Sequence, residues 1–450
     1  MRKTLSTLAA IALLAALAGA APARAATGVA PAHGFAPGHV VVKFEGERRG
    51  RTLPLPAGAG VRETAATLRA NPRVEYAAPD YVATASTTIP PIHSLPDDSG
   101  ALAEGAEAAS ALGSWVFKQW NFLPTESVNG LQAPPSPGGI DAIGAWRNLA
   151  AVGRPGARGT TVAVLDTGIA YRANGPEFAR SPDFGSRQFV GGYDFVDDDN
   201  LPLDENGHGT HVAGTIAERT DNGIGLTGIA FNAKLMPVRV LDSQGRGRAS
   251  EIAEGIRFAT RHGADVINMS FNFGCEKPVP EVDEALRQAY ARGVVTVGSV
   301  GNLGAETCVS PPATGPRVIG VGGTTEGGCL GAYSLSGTGI DLLAPGGGRP
   351  VATCPSISAR PIYQVTLRRG STNAFAIPGD YVGTSMAAAH VSAVAAMVLA
   401  ANSYGPTSGA KARVNAVARQ LRHTARSLGL PRIQQGAGLI DAAAATSPGP

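Results

Sequence analysis

Three residues in glycine- and alanine-rich surroundings are equipped for nucleophilic chemistry. Ser385 stands in Gly383-Thr384-Ser385-Met386-Ala387, at the start of an alanine-rich helical stretch. His208 opens His208-Gly209-Thr210-His211-Val212-Ala213-Gly214-Thr215, directly after Asn206-Gly207. Asp166 closes the apolar run Thr161-Val162-Ala163-Val164-Leu165 and is followed by Thr167-Gly168. A serine hydroxyl is a weak nucleophile near neutral pH and needs a base within hydrogen-bond reach. A neutral imidazole can take its proton, and a carboxylate can fix the tautomer and stabilise the imidazolium that results. Neighbouring glycines let backbone approach a ligand. A helix N-terminus behind the serine offers unpaired N–H groups to an oxyanion. Singly, Asp166 reads as a cap or turn residue and Ser385 as a helix N-cap. Together, in the order Asp, His, Ser, they read as one chemistry. His211 reads as a packed histidine, because the His-Glu-x-x-His pattern of zinc peptidases is absent.

Such residues need rigid strand and helix ends. Past Trp115, β-rich runs at Thr161–Leu165, Leu235–Leu241, Asp265–Met269, Gly293–Val297 and Arg317–Val321 alternate with helical patterns. The helical stretches are Ala249–His262, Val279–Arg292 and Met386–Ala401. This alternation predicts an α/β fold with a parallel sheet covered by helices on both faces. Sites in such sheets form where strands end. Upstream, His39–Phe44 reads as a strand, 61–70 as a short helix and Val74–Tyr76 as a return strand. From Ala83 the chain turns to Ala, Ser, Thr, Pro and Gly, which suits an exposed, cleavable linker.

The N-terminus reads as an export signal. Arg2 and Lys3 precede an apolar run from Leu8 to Ala18 and a small-x-small site, Ala23-Arg24-Ala25. The run is too short to cross ~30 Å of hydrocarbon. The expected product is therefore secreted and extracellular, with no membrane partner after signal removal. Cys275, Cys308, Cys329 and Cys354 all lie in the exported part and read as two disulfides, with three pairings open. The 38 Lys+Arg against 35 Asp+Glu leave a net charge of only +3, so nucleic acid is a poor partner.

On these motifs the chain resembles the subtilisin family of serine endopeptidases, the subtilases, from about Gln119 to Ala445. The stretches that carry the resemblance are Val164–Ile169, His208–Thr215 and Gly383–Ala387. The order of the three residues is that known for subtilisin itself. The resemblance implies a doubly wound parallel sheet of subtilisin type, preceded by a small α+β pro-domain. It implies that Asp166 orients, that His208 is base and then acid, and that Ser385 attacks a peptide carbonyl. Val300-Gly301-Asn302-Leu303-Gly304 resembles the family's Gly-Asn-x-Gly segment, so the Asn302 amide is implied as oxyanion donor beside the Ser385 N–H. Substrate is implied to bind as an added strand between Gln244-Gly245-Arg246-Gly247 and Ser270-Phe271-Asn272-Phe273-Gly274, with Gly301 and Leu303 at the rim. The second segment departs from the usual Ser-Leu-Gly-Gly. Leu303 stands where relatives often carry Glu, so uncharged apolar P1 residues are expected over Lys or Arg. Asn71 to Tyr81 resembles the inhibitory pro-segment of the same family. The implied organisation is a signal peptide at 1–25, a pro-segment at 26–82, a linker at 83–117 and a catalytic domain at 118–450. A monomer that cuts proteins, and first its own precursor, is expected.

Two acidic loops look like calcium sites. Closely spaced carboxylates repel unless a cation sits among them, and calcium takes oxygen ligands. Asp194, Asp197 and Asp199, with Leu201 in the same loop, resemble a calcium loop of thermitase-like subtilases. Leu203 replaces a side-chain ligand there, and Asp204 is the available substitute. Thr220, Asn222, Ile224 and Leu226 resemble the family's stronger calcium loop, to which Asp183 adds a carboxylate. The calcium is expected to be structural; a solvated acidic face is the competing reading of the first loop. For the whole chain the alternatives are a binding protein that has lost catalysis on this scaffold and a nucleotide-binding domain. The latter needs Gly-x-Gly-x-x-Gly after the first strand, which Asp166-Thr167-Gly168 does not supply.

Overall fold

Val40, Val42, Leu53 and Ala77 give the N-terminal unit enough apolar surface for a small core of its own. The computed structural model describes residues 35–56, 58–85, 115–126, 135–220, 222, 224–275, 279–304, 307–402 and 409–447. The expected signal peptide and residues 86–114 of the expected linker lie outside these. Phe35–Phe44 (β1), Arg51–Pro54 (β2) and Val74–Ala85 (β3) form an antiparallel sheet in the order β2-β1-β3. Val61–Arg69 (α1) closes it, burying Val61 and Ala65.

One boundary differs from the sequence reading. The return strand was expected at Val74–Tyr76 with a linker from Ala83, yet β3 runs to Ala85. Pro79 and the alanines around it have little strand propensity of their own. What extends β3 is pairing with distant segments, Arg246–Arg248 (β7) and Phe271–Asn272 (β9).

The larger domain is built on Thr161–Asp166 (β4), Tyr193–Asp194 (β5), Lys234–Arg239 (β6), Val266–Met269 (β8), Val295–Ser299 (β10), Val318–Thr324 (β11) and Leu342–Pro345 (β12). They form one parallel sheet in the order β12-β11-β10-β8-β4-β6-β5. Successive side chains of a strand point to opposite faces. Val162 and Val164 accordingly enter one core, and Ala163 and Leu165 the other. The first core holds Ala142–Ala151 (α2), His208–Ala217 (α3) and Thr384–Ala401 (α6). The second holds Ala249–Arg261 (α4) and Pro280–Ala291 (α5). Ala410–Thr424 (α7) packs outside α6, which is long and apolar enough to cross a membrane but is 83% buried inside the domain. Its alanines fill a crowded interior with little side-chain entropy to lose. The cysteines pair as Cys275–Cys308 and Cys329–Cys354.

Candidate active site

Asp166 and His208 meet directly, and the helices that carry His208 and Ser385 pack against each other. Asp166 is the last residue of β4, His208 the first of α3, and Ser385 the second of α6. All three are buried. Asp166 Oδ1 lies 2.7 Å from His208 Nδ1 and also accepts from the Thr167 N–H at 2.8 Å. That contact needs the two chain segments to touch. A Cβ on Gly209 would lie 2.1 Å from the Gly168 carbonyl oxygen, so glycine is required there. His208 Nε2 is buried and without a hydrogen-bond partner. Ser385 Oγ donates to the Ser270 carbonyl at 3.0 Å, and Ser270 Oγ donates to the Ser385 carbonyl at 2.9 Å. Ser270 thus ties the cleft segment to the helix start.

Asn302 follows β10. Its Oδ1 accepts from the Thr384 N–H and from Thr384 Oγ1, both at 2.9 Å. This fixes the amide so that Nδ2 is left buried with no partner. An unmet buried donor costs ~1–3 kcal/mol, and a developing oxyanion is the group that would satisfy it. Thr384 escaped the sequence reading; its only signal was its place between Gly383 and Ser385.

The cleft is filled by the chain's own β3. Val82, Ala83 and Thr84 pair with Arg248, Gly247 and Arg246, while Thr84 and Ala85 pair with Asn272 and Phe271. Gly245 precedes β7 in a left-handed conformation, φ 71°. These are the two segments expected to hold substrate. Two side chains bear on the expected P1 preference. Phe271 is fully buried and packs edge-on against Phe273 within the second core, and Leu303 is 64% exposed. Neither therefore lines a closed apolar pocket, and the expected apolar P1 preference loses its basis in them. His211 is a packed histidine: Nε2 bonds to the Ile362 carbonyl, the ring stacks on Tyr381 at 3.9 Å, and burial holds its pKa down to about 3.

Residues 157–439 match the profile of the subtilase family, peptidase S8. The chain belongs to the subtilase family of serine endopeptidases. It is 37% identical to subtilisin BL of Lederbergia lenta over 288 residues, 64% of this chain and 91% of that protein. It is 36% identical over 243 residues to the thermophilic serine proteinase of Bacillus sp. strain AK1, a match spanning 54% of this chain and about half (53%) of that protein. The crystal structure of fervidolysin from Fervidobacterium pennivorans superposes with a TM-score of 0.67, covering 93% of this chain and 62% of that one. At 22% identity that likeness speaks for the fold alone.

In this subtilase the two acidic loops part company. The carboxylates of Asp194 and Asp197 meet Arg239 Nη1, at 2.8 and 2.5 Å, and Glu205 meets Nη2 at 3.0 Å. Asp199 Oδ1 accepts from the Leu201 N–H. The cation among these carboxylates is a guanidinium from the end of β6, so the first loop does not fit calcium as expected. Asp204 faces away from it, towards α3. The second loop differs. Asp183 is fully buried, accepting from Asn222 Nδ2 at 2.6 Å and the Leu226 N–H at 2.8 Å. Asn222 Oδ1 accepts from the Ile224 N–H, and Thr220 Oγ1 bonds to Thr227. Burial pushes the Asp183 carboxyl up to about 7. Glu218 lies close enough to interact with it, fully buried and with no side-chain donor to either oxygen. A buried carboxyl pair of this kind suits a divalent cation. Among the described residues no preformed cluster of three His, Cys, Asp or Glu stands ready for a metal, so carbonyls would complete any such site.

Proposed function

We propose that the chain is a secreted serine endopeptidase that cuts its own precursor through Asp166, His208 and Ser385. The observation that carries this reading is the antiparallel pairing of β3 with β7 and β9, beside Ser270 and Ser385. Ser385 Oγ attacks a peptide carbonyl carbon while His208 Nε2 takes its proton. Asn302 Nδ2 and the Ser385 N–H receive the oxyanion. The C–N bond breaks as His208 protonates the leaving amine. Water then attacks the ester by the same route, releasing a carboxylate and restoring Ser385. Thr84 and Ala85 match Asn272 and Phe271 in register. The described pairing ends at Ala85, and Ser86 is the next residue in the sequence. We therefore assign the first self-cleavage to the Ser86–Thr87 bond. Sequencing the N-terminus of the first product tests the assignment: Thr87 supports it, and a first cut elsewhere in 83–117 rejects it.

Calcium is proposed for the second loop only, held by the carboxylate of Asp183, Asn222 and the carbonyls of Thr220, Ile224 and Leu226. A cation bound by the folded form alone stabilises it by mass action. Chelation is expected to lower the melting temperature while leaving the initial rate unchanged. Asp183→Asn should remove that calcium dependence, and Asp197→Asn should retain it. The reverse pattern would return calcium to the first loop.

The pro-segment contact is proposed to loosen with rising pH. Asp80 of β3 is buried, accepting from Ser250 Oγ at 3.0 Å and the Ser250 N–H at 3.2 Å, at the start of α4. Burial holds its carboxyl above the usual range. Glu251 and Glu281 are pushed up to about 7 and about 8, by burial above all, with the Asp80 charge adding and Arg248 and Arg257 opposing. Lys43 and Tyr76 bond to Glu284 alongside, at 2.8 and 3.2 Å. Carboxyls with a higher pKa when docked bind protons in the docked state. Docking is therefore strongest below the ordinary carboxylate range of about 4 and weakens as pH rises through 7 to 8. The cleaved pro-segment should co-elute with the enzyme at pH 6 and separate by pH 9. Equal retention at both would contradict this.

A further inference from the structure

Asp204 was read from the sequence as a spare calcium ligand, but its surroundings give it different work. The carboxylate is fully buried and takes five hydrogen bonds. Oδ1 accepts from Thr167 Oγ1 and from the N–H groups of Asn206 and Gly207, each at 2.9 Å. Oδ2 accepts from the Thr210 N–H at 3.0 Å and Thr210 Oγ1 at 2.6 Å. Every partner is a donor, so the site is built for a carboxylate.

Those donors belong to two segments that must meet. A helix leaves its first N–H groups unpaired, and α3 begins after Gly207, a residue with no side chain to cap it. Asp204 takes the N–H groups of Gly207 and Thr210. Asn206 Oδ1 takes that of His208, and Thr167 Oγ1 takes that of Gly209. Thr167 in turn donates to Asp204 and follows Asp166 directly. Thr210 Oγ1 accepts from Ala170 N–H, stitching the same two segments again. The carboxylate therefore holds the backbone of His208 and that of Asp166 against each other, without touching either side chain.

We propose that Asp204 is a positioning residue for the Asp166–His208 pair, setting the orientation of the imidazole for proton transfer. The assignment rests on the protease reading above. Asp204→Asn keeps the volume but turns an N–H₂ towards donors on one side. A misplacement of the imidazole by about 1 Å can cost about 10²-fold in rate. The variant, produced as the full precursor, is expected to lose between 10- and 100-fold in kcat per fluorophosphonate-titrated site, on the same scale. KM should stay near the wild-type value, and the acid limb of the kcat/KM pH profile should move.

A second pair of variants covers the case in which Asp204→Asn does not fold. Thr210→Ser keeps the hydroxyl and should keep wild-type kcat, whereas Thr210→Val removes it and should lower kcat with the same displaced acid limb. An active Asp204→Asn enzyme with unchanged kcat and pH profile overturns the proposal, as do indistinguishable Thr210→Ser and Thr210→Val enzymes. A folded wild type with no activity would instead defeat the protease reading itself.

Discussion

Ser385→Ala is expected to abolish peptide hydrolysis and to leave the precursor uncut, with β3 still seated between β7 and β9. No other group stands where Ser385 Oγ does, 3.0 Å from the Ser270 carbonyl at the head of α6. The substitution removes one oxygen, and the alanines that follow show that the helix accepts the residue. Stability should therefore hold while chemistry fails. The fall in kcat is expected at about 10⁶-fold, the loss known for the same change in subtilisin itself. Intact mass of the purified product gives the second readout. The full precursor mass is expected, and normal self-maturation of the purified variant would refute self-processing by this serine.

Asn302→Ala is expected to lower kcat by about 10²–10³-fold with KM little changed, the size known for loss of such a donor in subtilisin itself. The structural reason is local. Thr384 holds Asn302 Oδ1 with two hydrogen bonds, so Nδ2 is aimed before substrate arrives and nothing reorganises as charge develops. Because alanine also orphans the Thr384 N–H, Thr384→Ser and Thr384→Val should be compared. Loss of the Thr384 hydroxyl alone should give a smaller fall in kcat, since Oδ1 keeps one of its two bonds. A KM effect with kcat intact would move Asn302 from oxyanion binding to substrate binding.

The sheet was legible because its strands are continuous apolar runs, and β4 divides them cleanly between two cores through Val162, Val164 and Ala163, Leu165. Asp166, His208 and Ser385 were legible as a proposed triad because they sit where a strand ends and helices begin, with glycine forced beside His208. What sequence could not supply were partners brought from afar. Arg239 lies 45 residues from Asp194, and nothing local marks it as the counter-charge of that loop. The last turn of β3 takes its strand character from β7 and β9 rather than from its own alanines. Leu303 was placed at the rim and Phe271 in the substrate segment by position alone, and burial sends them apart, one to solvent and one to the core. Asp204 looks like one acid among many in sequence, because its five donors come together only when the segments around Thr167 and Thr210 meet.

The central claim is that Ser385 is an activated nucleophile. It is tested most directly by treating the purified, folded protein with a serine-directed fluorophosphonate and mapping the adduct by mass spectrometry. One adduct, on Ser385, lost in Ser385→Ala and sharply slowed in a His208→Ala enzyme, is the result expected. A folded wild-type protein that takes up no label, or takes it at another residue, would contradict the account.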